Sequence, residues 1–177
     1  MTSAKDDLAW AIDQGLIGAN DHKPDEEIPR LQIFSMRDVV KKSVEPLWPG
    51  RLIRGKLNIV AGDPGLGKSW MSLDIVTRVS RGWTWPDGSI APQGDVLIIS
   101  AEDGMEDTIR PRLDDLGADL NRIYGIGITI KQGDQDIPLS LAEHLIQIEE
   151  AISQRQAGLL ILDPILAFTG KRADTHK

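Results

Sequence analysis

The stretch Gly62-Asp63-Pro64-Gly65-Leu66-Gly67-Lys68-Ser69 constrains the fold of this chain more than any other. It fits the phosphate-binding pattern G-x-x-x-x-G-K-[ST], and it stands between a strand-like and a helix-like segment. Lys56-Leu57-Asn58-Ile59-Val60-Ala61 is apolar and partly β-branched, which predicts a short buried strand. Met71, Leu73, Ile75, Val76 and Val79 recur at roughly helical spacing, which predicts a helix from near Gly67 with Gly82 as its C-terminal cap. Glycines at 62, 65 and 67 let the backbone turn tightly, so that successive N–H groups converge on an anion. The helix start adds unpaired N–H groups and the positive end of its dipole. Lys68 would reach the β- and γ-phosphate oxygens, and the Ser69 hydroxyl would complete the coordination of a magnesium ion. With Trp70 directly after the motif, residues Gly62, Asp63, Pro64, Gly65, Leu66, Gly67, Lys68, Ser69 and Trp70 form the expected nucleotide-contact set.

A length of 177 residues is enough for about one domain with a substantial core. The 41% hydrophobic and 27% charged content is that of a globular protein. No apolar run approaches the roughly 18 residues of a membrane span, and the N-terminus around Lys5-Asp6-Asp7 lacks a signal-peptide apolar region. A cytoplasmic location is therefore the expectation. Cysteine is absent, which excludes disulfides and thiolate-bound metal, and the three histidines, His22, His144 and His176, lack the i, i+4 spacing of a ligand pair. A net charge of −7 argues against broad nonspecific attraction to nucleic acid, while leaving room for basic residues on a few local loops.

Residues 1–45 read as an N-terminal arm and residues 46–177 as the nucleotide-binding domain. In the arm, Leu8, Ala9, Ile12, Leu16 and Ile17 predict a short amphipathic helix, with a solvated tail as the alternative. Leu31-Gln32-Ile33-Phe34 predicts a short strand, and Met36 to Lys42 a helical turn or two. Trp48-Pro49-Gly50-Arg51 turns the chain into the core strand, with Trp48 a packing anchor rather than a base-stacking platform and adenine contact as the alternative.

Beyond the first helix, Trp83 to Gly88 reads as a loop and Val96 to Ser100 as a strand buried on both faces, as in a parallel sheet. Ile109, Leu113 and Leu116 share a helical face that ends at Gly117, with Pro111 tolerable only in the first turn. Ile123 to Ile130 predicts a glycine-interrupted third strand. Ser140-Leu141-Ala142-Glu143 has the pattern of a capping box before a helix closed by Gly158, and Leu159-Leu160-Ile161-Leu162-Asp163 is an apolar strand ending in a carboxylate. Strands alternating with helices imply an α/β fold whose ligand lies at the carboxyl ends of the strands.

Two carboxylates would complete such a site. Asp163, emerging from its strand at the nucleotide edge, would hold magnesium beside Ser69; the competing reading is a turn at Asp163-Pro164. Glu102, after the second strand, would accept a proton from, or orient, the water that attacks the γ-phosphorus, with Asp103 capping the helix that follows; the competing reading is that Asp103 caps the helix and Glu102 is simply solvated.

These residues together resemble the RecA-fold ATPases, most closely the branch of plasmid replicative helicases of the RepA type and related ATPases of mobile elements. The resemblance is carried by Trp48-Pro49-Gly50, Gly55-Lys56-Leu57, the loop Gly62 to Ser69, Ser100-Ala101-Glu102-Asp103 and Leu162-Asp163-Pro164, and runs from about Leu47 onward. It implies an α/β P-loop fold of RecA type, ATP and magnesium as cofactors, Glu102, Lys68 and Asp163 as the catalytic set, a hexameric ring and movement on single-stranded DNA. Phe168 to His176 resembles that family's mobile loop. A RecA-type domain continues into a polar γ-phosphate sensor strand and an arginine offered to the neighbouring subunit, so the chain resembles the N-terminal part of a longer protein. A recombination or regulatory ATPase, and a nucleotide-binding module without turnover, are the alternatives. No N-K-x-D motif supports guanine recognition, and a small-molecule kinase would leave Glu102 unexplained.

Overall fold

The computed structural model describes residues 31–169 together with residues 10, 13 and 14. The expected amphipathic helix at Leu8 to Ile17 and most of the loop after Phe168 lie outside the described residues. The chain divides into two units, Met1–Lys42 and Ser43–Lys177. In the first, Leu31 to Phe34 form no strand; they are irregular and exposed, with no ladder partner among the described residues. The helical turn after them is a single 3₁₀ turn, Met36–Asp38, capped by the Ser35 side chain.

The second unit opens with a small antiparallel pair, β1 (Pro46–Trp48) and β2 (Leu52–Ile53), so the Trp48-Pro49-Gly50-Arg51 turn closes a hairpin instead of leading into a core strand. The segment Lys56 to Ala61 is the main departure from expectation. It is irregular, with Leu57 72% and Ile59 70% exposed. A β-prone sequence becomes a strand only when a neighbour takes its hydrogen bonds, and none does so among the described residues. Instead the Asn58 side chain brackets Ile53, accepting from its N–H at 3.1 Å and donating to its carbonyl at 3.0 Å.

Helix α1 (Lys68–Arg81) follows the glycine loop and ends at Gly82 as expected, where φ is +67° and the cap N–H donates to the Arg78 carbonyl. The strand β3 (Val96–Ser100) is buried along its whole length, and a π-helical turn, Met105–Ile109, leads into α2 (Arg110–Asp115). Pro111 stands in the first turn of α2, where its missing N–H costs nothing. Glycine splits the next apolar stretch: β4 (Ile123–Gly125) joins the sheet, while Thr129–Gln132 becomes β5 of a separate hairpin with β6 (Gln135–Pro138).

Helix α3 (Leu141–Arg155) begins after Ser140, but the expected capping box does not form. The Ser140 N–H donates to His144 Nδ1 at 3.0 Å, and His144 adopts a non-helical conformation (φ −122°, ψ 24°). The helix ends at Gln156 in the left-handed region (φ 50°), not at Gly158, whose N–H instead donates to the Asp95 carbonyl. β7 (Leu159–Asp163) completes a parallel sheet of order β4-β3-β7.

Period-two alternation sorts this sheet into two cores. Val96 and Ile98 of β3 and Leu159 and Ile161 of β7 pack with Leu73, Val76 and Val79 of α1 and Leu113 of α2. Ile99, Leu160 and Leu162 pack on the other side with Ile148 of α3 and with Phe168. Val76 and Val96 are wholly buried, and removing such a side chain from water stabilises the fold by about 1.5–3 kcal/mol. The result is an α/β arrangement with helices on both faces of a small parallel sheet.

Candidate functional site

The alternation that builds the core also aims the site. Ser100 has the parity of Val96 and Ile98, and Asp163 that of Leu159 and Ile161, so both side chains stand on the α1 side of the sheet at its carboxyl edge. They are register partners, and the Ala101 N–H continues the ladder to the Asp163 carbonyl at 3.0 Å. On α1, Ser69, Ser72, Leu73 and Val76 follow helical spacing, so the stripe that buries Leu73 and Val76 carries the Ser69 hydroxyl towards the same edge. Ser69, Ser72, Ser100, Asp103 and Asp163 meet in one narrow cleft of about 10 Å³, floored by Leu73, Ile98, Ile109 and Ile161.

The glycine loop lies exposed before this cleft. Gly65 and Gly67 both have φ of +80°, a conformation that a side chain would strain, and Gly67 occupies the N-cap with its carbonyl accepting from Met71 N–H at 2.9 Å. Gly62, Asp63, Pro64 and Leu66 are likewise exposed. Lys68 Nζ donates to the Asp63 carbonyl at 2.9 Å, folding its charge back onto the loop that precedes it. Trp70 is half-exposed at the start of α1, beside the cleft.

The two neighbouring acids after β3 part company. Asp103 lines the cleft, while Glu102 is exposed and lies outside the lining. Asp103 does not cap the next helix, because Gly104 stands at that position and no side-chain cap bond forms. Its main chain is instead fixed by Ser100: the hydroxyl accepts from Asp103 N–H at 3.1 Å and donates to the Asp103 carbonyl at 3.0 Å. Its carboxylate accepts from Arg112 Nη1 at 2.8 Å, and the Arg112 guanidinium also lies over the Trp70 ring, 5.4 Å from its centroid. Arg112 carries no signal in the sequence, because an arginine in an amphipathic helix gains a partner such as Asp103 only once the turn before it is placed.

Trp48 is a packing anchor, as its sequence context predicts. Its ring stacks on Trp85 at 4.6 Å with an interplanar angle of 3°, and Arg51 lies over it at 5.0 Å, so both faces are occupied and no base can stack there. Phe168, expected to open a mobile loop, is buried in the core beneath the sheet.

The oxygens present suit magnesium. Among the described residues no group of three or more histidine, cysteine or acidic side chains is set to cage a metal. Magnesium at a nucleotide keeps several waters and takes only one or two protein oxygens besides those of the phosphates, which matches one hydroxyl, Ser69, facing one strand-end carboxylate, Asp163. No helix among the described residues is long and apolar enough to cross a membrane.

Comparison with known proteins places the chain in a family. No curated protein and no solved structure matches the chain. A family model described as an AAA domain matches residues 24–177, most of the sequence, and the chain accordingly belongs to that family of P-loop ATPase domains.

Proposed function

We propose that the chain binds ATP with magnesium at the loop Gly62 to Ser69 and hydrolyses it, as the nucleotide-driven part of a RecA-type, helicase-like motor on single-stranded DNA. The observation that carries the nucleotide reading is the convergence of Ser69, Asp103 and Asp163 in one cleft beside Lys68. In this reading Lys68 exchanges the Asp63 carbonyl for phosphate oxygens, and Ser69 and Asp163 hold the magnesium, which would neutralise charge on the phosphates. Trp70 flanks the bound nucleotide. Glu102 takes the proton from a water whose oxygen bonds to the γ-phosphorus as the bond to the bridging oxygen breaks, leaving ADP and phosphate. The ring and the DNA rest on the likeness to replicative helicases of the RepA type, and a cytoplasmic location follows from that role. A net charge of −7 confines any DNA contact to local loops.

A second reading is binding without turnover. It is favoured by the exposed position of Glu102 outside the cleft and by the irregular backbone of Lys56 to Ala61. ATP hydrolysis measured with and without single-stranded DNA, on the wild type and Glu102→Gln, tests both. DNA should raise the wild-type rate, and Glu102→Gln should keep nucleotide binding while losing turnover roughly 100-fold or more. A rate indifferent to DNA would support a regulatory ATPase, binding without hydrolysis the inert module, and wild-type turnover by Glu102→Gln would remove that residue from the mechanism.

A further inference from the structure

We propose that Arg112 is a positioning residue of the nucleotide site, acting through Asp103 to hold a second carboxylate in the cleft where it orders the water shell of a magnesium bound at Ser69 and Asp163. The inference rests on the nucleotide reading above. Arg112 is not itself part of the cleft lining, so its influence has to pass through what it touches. It touches two things: the Asp103 carboxylate at 2.8 Å and the Trp70 ring at 5.4 Å. Those belong to two of the segments that border the cleft, the turn after β3, which supplies Asp103, and the first turn of α1, which supplies Ser69.

The other ion pairs among the described residues lie away from the cleft: Arg110 with Asp114 is an i, i+4 pair within α2, and Arg78, paired with Asp74 on α1, also donates to the Thr84 carbonyl in the loop that follows. Arg112 and Asp103 lie nine residues apart and are each about a quarter exposed (28% and 27%), so solvent screens them less than a fully exposed pair. The planar guanidinium suits the double task, since it can donate in its plane to a carboxylate while laying its face on an indole, which an ammonium cannot. Ser100 fixes the Asp103 backbone and Arg112 fixes its side chain, so the carboxylate is held from both ends. Magnesium dehydrates reluctantly, so a carboxylate next to its ligands binds through retained waters and orients them. Arg112 also offsets the repulsion between Asp103 and Asp163 across so small a cleft.

Isothermal titration with adenosine 5′-thiotriphosphate, a slowly hydrolysed analogue, in magnesium and again in EDTA, tests the idea on Arg112→Gln, Arg112→Lys, Asp103→Asn and the Asp103→Asn, Arg112→Gln double variant. Arg112→Gln and Asp103→Asn should each weaken magnesium-dependent binding roughly 10-fold or more and change binding in EDTA by less than about 2-fold. The double variant should be no weaker than either single one, because both act through one contact, and Arg112→Lys should recover part of the loss. Equal losses in EDTA would mean that Arg112 contacts the nucleotide itself, and additive losses that it acts independently of Asp103; either result overturns the proposal. Variants matching a wild type that binds nucleotide would overturn this inference alone. A wild type that binds no nucleotide would overturn the site reading and this inference with it. If Arg112→Gln does not fold, Arg112→Lys and Asp103→Asn carry the same comparison.

Discussion

Asp87 gathers the contacts that fix the tryptophan stack. It accepts from Ser89 through both hydroxyl and N–H, at 2.6 and 3.0 Å, and from Trp48 Nε1 at 2.8 Å. The Ser89 side-chain and backbone bonds, then the Trp48 bond, with Arg51 nearby, hold its carboxyl below the usual carboxylate range. A depressed folded-state pKa contributes stability above the unfolded value and loses it as pH falls through the folded one. The melting temperature of the wild type should therefore exceed that of Asp87→Asn near neutrality, and the gap should close as pH drops below the ordinary carboxylate range. A gap independent of pH would show that the charge on Asp87 does not matter. Around the cleft, the places of Ser69 and Asp163 are legible in a fixed spacing and a strand end, whereas the place of Asp103 in the lining depends on the Ser100 clasp and the Arg112 partner, which only folded geometry supplies.

Elements were legible where local chemistry decides and obscure where a distant partner does. Helix α1 has its stripe, its glycine N-cap and its glycine C-cap in the sequence, and all three are used. At Gly82 an added Cβ would sit 3.1 Å from the Gln93 Cβ while φ stays at +67°. Gly82→Ala should accordingly lose about 1–2 kcal/mol in urea unfolding, and an unchanged midpoint would refute the cap argument. β3 and β7 were legible because near-continuous apolar runs suit strands of a parallel sheet. The segment Lys56 to Ala61 has similar residues but no ladder partner among those described, and composition does not report partners. The Ser140 capping box failed for a competing local reason, since the His144 ring reached the Ser140 N–H first.

At the scale of the whole molecule, one parallel sheet with α1 and α2 on one face and α3 on the other places every candidate oxygen ligand at the carboxyl edge facing α1. Alternation along β3 and β7 could have said in advance that Ser100 and Asp163 share that face with Ser69. The central claim is that this edge, with the loop before α1, binds a nucleoside triphosphate. Calorimetric titration of ATP with magnesium into the wild type and Lys68→Ala tests it most directly. The wild type should bind in a one-to-one ratio, and Lys68→Ala should bind at least about 10-fold more weakly, the loss expected for roughly 1.4 kcal/mol of phosphate contact. No measurable binding by the wild type, or equal affinity in the two proteins, would contradict the claim.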